Sequence, residues 1–215
     1  MSGQWDDLDD SASHQFEVTE SQPVFHGGVI SVRSDTVTMP GGTTSKRDVV
    51  AHPGAVGIVA LDGPEGEERV LTVRQYRHPV GRRLVELPAG LLDQQDEPAV
   101  DAAARELVEE TGHEAGRWDV LVDALTSPGM CDEAIRIYLA RDLRQVEQPE
   151  TEHEEADMTT AWVPLTDAVE AVLSGQVENG MAVMGILAAA EARRRGFAGL
   201  RPGDASWAAK PAAGG

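Results

Sequence analysis

Cysteine, long apolar runs and positive charge are what this sequence is short of. Cys131 is the only cysteine in 215 residues, which excludes an intrachain disulfide and a zinc site built on several cysteines. The longest apolar runs, such as Met181 to Ala190, fall short of the ~20 residues a membrane-spanning helix needs. The opening "MSGQWDDLDD" is acidic and polar, with neither the basic start nor the apolar core of a signal peptide, so a reduced, cytoplasmic location is expected. Bases number 18 against 37 acids, a formal charge of −19. A field of that sign repels polyphosphate backbones, so neither nucleic acid nor an anionic membrane is expected as a partner. A small anionic substrate is compatible with it where arginines or metal ions line the pocket. Part of the excess, "DDLDD" at residues 6 to 10, is expected to be a solvated tail.

What is present suits a soluble globular chain. Hydrophobic residues make up 41% of it, too much for disorder and enough for one well-formed core. Residues 1–13 and 203–215 read as loosely ordered ends rich in small and polar residues. Between residues 14 and 50, "FEVTE", "GGVISVRSDTVTMP" and "KRDVVAH" alternate apolar with polar residues, the pattern of strands. "AVGIVALD" (55 to 62) is the apolar run of a buried central strand, joined through a hairpin turn at "GPEGE" to "ERVLTVRQYR". "LVELPAG" (84 to 90) reads as one short strand. A helix is expected from about Pro98 to Gly112, with Val100, Ala103, Ala104, Leu107 and Val108 forming its core face. Strand patterns return in "WDVLVDALTS", "AIRIYLARDL" and "MTTAWVPL", and helices follow near Thr166 to Ser174 and Asn179 to Arg195. Sheet, helix, sheet, helix in that order predicts an α/β or α+β sandwich, residues 51–200, rather than a purely parallel series.

The helix before Gly112 carries Glu106, Glu109 and Glu110 at its C-terminal end, where the helix dipole disfavours negative charge. Positions three and four apart share a face, so the three carboxylates project together and repel one another unless a cation intervenes. Hard cations such as Mg²⁺ take oxygen ligands at ~2.1 Å and commonly bridge to phosphates. An acidic string alone is better explained by a solvated face, and the frame around it has to change that balance.

The frame around the string resembles the Nudix box. Gly90 starts it, Glu97 is its first acid, and Arg105-Glu106-Leu107-Val108-Glu109-Glu110-Thr111-Gly112 completes it. Two departures stand out: one extra residue separates Gly90 from Glu97, with Asp96 at the usual position, and His113 replaces the closing aliphatic. The resemblance implies a Nudix fold, a mixed β-sheet between helices. It also implies two or more Mg²⁺ ions, or Mn²⁺ in their place, held by Glu106, Glu109, Glu110 and the backbone of Ala89. Arg105 would orient the glutamates; a plain surface ion pair with Glu109 is the alternative.

Over about residues 16 to 200 the chain is similar to the ADP-ribose pyrophosphatase branch of the Nudix hydrolases, actinobacterial members in particular. "VTMPGG", "KRDVVAHPGAVGIVALD", "RQYRHPVGRRLVELPAGLLD", "SPGMCDEAIRIYLA" and "EEADMT" carry that similarity. It implies cleavage of ADP-ribose to AMP and ribose 5-phosphate by a homodimer whose N-terminal antiparallel β-region (14–50) exchanges strands between subunits. It implies a water-activating base in the loop "PETEHEEADM" (149 to 158), aligned to Glu155 with Glu154 as the alternative. It implies substrate contacts from Arg47 and Arg77 to the diphosphate or terminal ribose, from Glu86 to ribose hydroxyls, and near Gly129. Hydrolysis of ADP-glucose or GDP-mannose is the competing activity, and a non-catalytic ADP-ribose-binding regulator the competing class.

Overall fold

The computed structural model describes residues 16–149 and 158–208. They fall into two units, one of residues 16–52 with Gly129–Asp132, the other of the rest. The first is an antiparallel meander of β1 (Val18–His26), β2 (Ser31–Thr38) and β3 (Thr44–Ala51) in that spatial order. Gly41 and Gly42 both take positive φ (91° and 80°) where the chain turns between β2 and β3, a conformation open to glycine without steric cost. Asp35 is buried in β2 and is held as a carboxylate by Ser21 Oγ at 2.6 Å and Arg33 Nε at 3.1 Å. The 129–132 segment runs beside the end of β3, exchanging backbone hydrogen bonds with Val50.

In the second unit the expected central strand is β4 (Ala55–Asp62), and its apolar run is split by side. Val56, Ile58 and Ala60 pack on one face against Ala102, Ala103 and Leu107 of α1 (Ala99–Thr111). Ala55, Val59 and Leu61 pack on the other against Leu165 and Ala168 of α2 (Leu165–Leu173) and Ala182, Ile186 and Ala189 of α3 (Gly180–Arg194). Side chains alternate across a strand, so a strand covered by helices on both faces must be apolar throughout. Around β4 lie β5 (Arg69–Arg77), β8 (His113–Leu125), β9 (Ala134–Gln145), β10 (Thr159–Pro164) and the short β11 (Arg201–Pro202), in the order β10-β5-β4-β9-β8-β11. β4 and β9 are parallel and the other pairs antiparallel, which makes the mixed sheet of an α+β sandwich.

Three expectations are corrected. "LVELPAG" is two strands: β6 (Arg82–Glu86) pairs with β5, and β7 (Ala89–Leu91) crosses to pair with β4. Pro88 stands at the break because it has no N–H to continue a ladder, and its carbonyl accepts from Ile58 N instead. On α1, Ala102 and Thr111 are buried along with Ala103 and Leu107, whereas Val100, Ala104 and Val108 are half-buried. The helix sits with its stripe rotated from the expected one. Finally, residues 203–207 are tied down: Arg136, buried on the α1 side of β9, donates to the carbonyls of Ala205 (2.6 Å) and Ser206 (3.0 Å) and lies 4.8 Å from the Trp207 ring.

Candidate active site

α1 begins after Pro98, whose extended backbone (φ −61°, ψ 140°) makes it the residue flanking the first turn. It ends at Gly112 in the left-handed region (φ 65°), whose N–H returns to the Val108 carbonyl. The first turn carries Asp101 and the last turn no base, so Glu109 and Glu110 face the dipole uncompensated by a cationic cap. Leu107 is buried on the sheet-facing side, and Glu106, Glu109 and Glu110, half-buried, occupy the flank of the helix beside it.

Arg105 serves three carboxylates. Its Nε and Nη2 grip Glu97 at 3.0 and 3.1 Å, and Nη1 reaches Glu106 at 2.7 Å and Glu109 at 2.9 Å. The bonds from Arg105 hold the Glu97 carboxyl below its usual range against the opposing pull of burial. The bond to Glu97, with further help from Glu106 and Glu109, raises Arg105 in turn. The extra loop residue finds its reason here. Asp96 adopts φ 63°, a left-handed conformation that Asp tolerates, and Glu97 N closes a turn onto Gln94 O at 3.4 Å. That turn absorbs one residue and delivers Glu97 to the guanidinium as a bidentate partner.

β7 meets this helix at its acidic end. A Cβ on Gly90 would fall 2.1–2.2 Å from Cγ, Cδ and Oε1 of Glu106, so only glycine leaves room for that carboxylate against the strand. One residue earlier, the Ala89 N–H donates to Glu110 Oε2 at 3.1 Å. Among the described residues no three His, Cys, Asp or Glu side chains close on one point at ligand distance, since Arg105 draws Glu106 and Glu109 and Ala89 engages Glu110. The donor set nevertheless fits a hard divalent cation: carboxylate oxygens on one helix face, beside a strand cradle from which a side chain has been removed.

The other expected residues separate into groups. Arg77 and Glu86 are not independent ligands. Arg77 Nε and Nη2 bind both oxygens of Glu86 at 2.9 and 2.8 Å, and Glu86 is 3% exposed. Held in this way, Glu86 orients the Arg77 guanidinium. Arg47 lies in the N-terminal unit, exposed, donating to Ser45 Oγ and the Lys46 carbonyl at 2.6 and 2.9 Å. Gly129 belongs to that unit as well; its φ is not positive, and an added Cβ would meet no atom of the chain itself within 4 Å. Glu155 and Glu154 lie outside the described residues. His113 fills an aliphatic position as an aromatic one: its ring stands edge-on to Trp162 at 5.6 Å while Nδ1 meets the Thr111 carbonyl at 2.8 Å. One contributor has a role the sequence did not show, and another carries no sequence signal at all. Glu97 was visible as a box acid but not as the clamp on Arg105. Gln148, whose Nε2 donates to the Glu109 carbonyl at 2.8 Å, is 39 residues away and carried no local signal.

A carboxylate cluster at a strand–helix junction, on one face of a mixed sheet enclosed by helices, has the make-up of a hydrolase centre that uses hard cations. A model of the NUDIX domain family matches residues 51–182, more than half of the chain, and the chain belongs to that family of hydrolases. It is 49% identical over 202 residues to an ADP-ribose pyrophosphatase of Mycobacterium tuberculosis, covering 94% of this chain and 96% of that one. An ADP-ribose pyrophosphatase of Bacillus subtilis is 37% identical over 156 residues, 73% of this chain and 82% of the relative. Among solved structures, a crystal structure of an ADP compounds hydrolase superposes with a TM-score of 0.72 over 85% of this chain and 97% of its own; at 19% identity the likeness is one of fold. No helix among the described residues is long and apolar enough to cross a membrane.

Proposed function

We propose that the protein is an ADP-ribose pyrophosphatase, a divalent-metal-dependent hydrolase that splits the diphosphate of ADP-ribose into AMP and ribose 5-phosphate. The observation that carries the diphosphate chemistry is the junction of Ala89 and Gly90 with Glu110 and Glu106. The choice of ADP-ribose leans on the name of a relative matched along nearly its whole length. Glu106, Glu109, Glu110 and the Ala89 backbone would hold two or more Mg²⁺ or Mn²⁺ ions, which when bound would supply positive charge to offset the charge developing on the diphosphate. Arg105 keeps Glu106 and Glu109 in place between visits of the metal. Arg77, braced by Glu86, and Arg47 offer planar paired donors to phosphate oxygens, with Gly129 near the substrate. Glu155 takes the proton from water, with Glu154 as the alternative base. The enzyme works in the cytoplasm as a homodimer with exchanged N-terminal strands, and its charge of −19 keeps it from nucleic acid and anionic membranes.

Product analysis with ADP-ribose, ADP-glucose and GDP-mannose in Mg²⁺ tests the reading. AMP and ribose 5-phosphate should appear fastest from ADP-ribose; absence of AMP from that substrate refutes the assignment, and binding without turnover points to a regulator. Glu110→Gln should lower turnover on the order of a thousandfold. Glu155→Gln should lower kcat by about 10²–10⁴-fold with metal binding kept; an unimpaired rate moves the base to Glu154 or elsewhere.

A further inference from the structure

The last four carbonyls of a helix have no partner within it, and here that last turn carries Glu109 and Glu110. Repulsion among the acids and the unfavourable dipole both act to unwind it. The structure ties it from outside the helix. Gly112 N–H closes on the Val108 carbonyl, His113 Nδ1 meets the Thr111 carbonyl, and Gln148 Nε2 donates to the Glu109 carbonyl at 2.8 Å. Gln148 does not arrive by chance. Val146 N–H donates to the Gly112 carbonyl at 2.8 Å, so the chain leaving β9 is stapled across the helix end two residues earlier. A Cβ on Gly112 would stand 3.2 Å from both Gln148 Cβ and the Val146 carbonyl. The glycine that ends the helix therefore also clears the path for this crossing. Pro149 follows, and its ring biases Gln148 to an extended backbone.

We infer that Gln148 is a positioning residue for the metal-binding face of α1: it fixes the last turn, and thereby Glu109 and Glu110, at the geometry that receives a divalent cation. The choice of side chain is chemically apt. Lys, Arg or His side chains near a helix C-terminus can bond its last carbonyls and favour the dipole. A cation there would lie beside the carboxylates and compete for them with the metal, as Arg105 already does with Glu106 and Glu109. A neutral amide supplies the donor without the charge. Because Gln148 is exposed, losing its amide removes the tie and little packing.

This inference rests on the metal reading above, and the test separates the two. Mn²⁺ is titrated into metal-free protein and followed by the electron paramagnetic resonance signal of the free ion, beside the melting temperature of each sample. Wild type should bind Mn²⁺; if it does not, the metal reading itself fails. Gln148→Met keeps length and volume but has no donor, and should weaken Mn²⁺ binding roughly three- to tenfold, the reach of one net hydrogen bond. Its melting temperature should stay within a few degrees of wild type. In turnover, the metal concentration for half-activation should rise by the same factor, with KM for ADP-ribose unchanged and kcat restored at saturating Mg²⁺. A folding defect would instead show as a lower melting temperature of the metal-free variant, since metal that binds the native state also recovers a folding defect by mass action. Mn²⁺ affinity equal to wild type in Gln148→Met, or a loss of rate that saturating Mg²⁺ leaves in place, overturns the inference.

Discussion

Gly90 shows how one residue can matter more for what it omits than for what it adds. Its φ is not positive, so backbone freedom is not why glycine stands there. What it omits is a Cβ that would overlap the carboxylate end of Glu106. Gly90→Ala should therefore cost little stability, about 1 kcal/mol, because the clash falls on the Glu106 side chain from Cγ outward, which can swing to another rotamer, and not on backbone, while alanine leaves the unfolded chain less entropy to lose. Glu106 would be expelled from the strand, and turnover should drop on the order of a hundredfold with weaker Mn²⁺ binding. Melting curves and metal titrations of the same sample check both halves; retained activity would show that the contact is incidental. Glu97 and Arg105 make the companion point. Both were legible as box residues, but that the insertion turns at Asp96 to bring them together depends on a backbone angle, which spacing does not encode.

At the scale of elements, residues 134–143 explain both what was legible and what was not. Ile135, Ile137 and Leu139 face α2 and α3, as apolar alternation demands. The other face reads Arg136, Tyr138, Ala140, and a buried arginine would be an error unless something met it. Asp123 of β8 does so at 2.7 and 3.0 Å, and the C-terminal segment brings two carbonyls to the remaining donors. Composition could not show that "GDASW" docks, because its anchor is a residue 69 positions away in sequence. Helix and strand placement followed local periodicity well; the rotated stripe of α1 and the split of "LVELPAG" followed from neighbours. Arg136→Met should cost about 3 kcal/mol in urea unfolding at pH 7, the low end for breaking a buried pair, since Arg201 still holds Asp123. Burial would raise the Asp123 carboxyl, but Arg136 and Arg201 outweigh it and hold the group below its ordinary value of 3.8. Stability from a depressed carboxyl is present above the unfolded pKa and is lost as pH falls through the folded one. The gap between wild type and Arg136→Met should thus narrow below pH 3.8, keeping only the share due to the two carbonyls. A gap independent of pH would remove the charge from the explanation.

At the scale of the molecule, two properties oppose each other: a charge of −19 and an uncovered apolar surface on the N-terminal unit. β1 lies at the edge of its sheet and is exposed along its length, and Val18, Val24 and Phe25 are each more than half exposed, with Phe16, Val29 and Ile30 beside them in sequence. Edge strands invite pairing, but Pro23 has no N–H to offer, and the register shifts between Pro23 and Phe25. What β1 presents most is therefore apolar side chain, the kind of surface that marks association. Two copies bring 38 formal negative charges together, twice 19, so their long-range field resists the contact that the apolar groups favour. Screening acts on the first and not on the second, over a Debye length of ~10 Å at 0.1 M salt. Sedimentation equilibrium should accordingly give twice the 23.0 kDa chain mass, with dimerisation tightening as salt rises from about 20 to 200 mM. Phe25→Asp should shift the balance to monomer by placing one more charge in an apolar contact. A wild-type monomer at all salt concentrations would refute the proposed dimer. A dimer that weakens with salt would replace apolar burial with ion pairing as its cause.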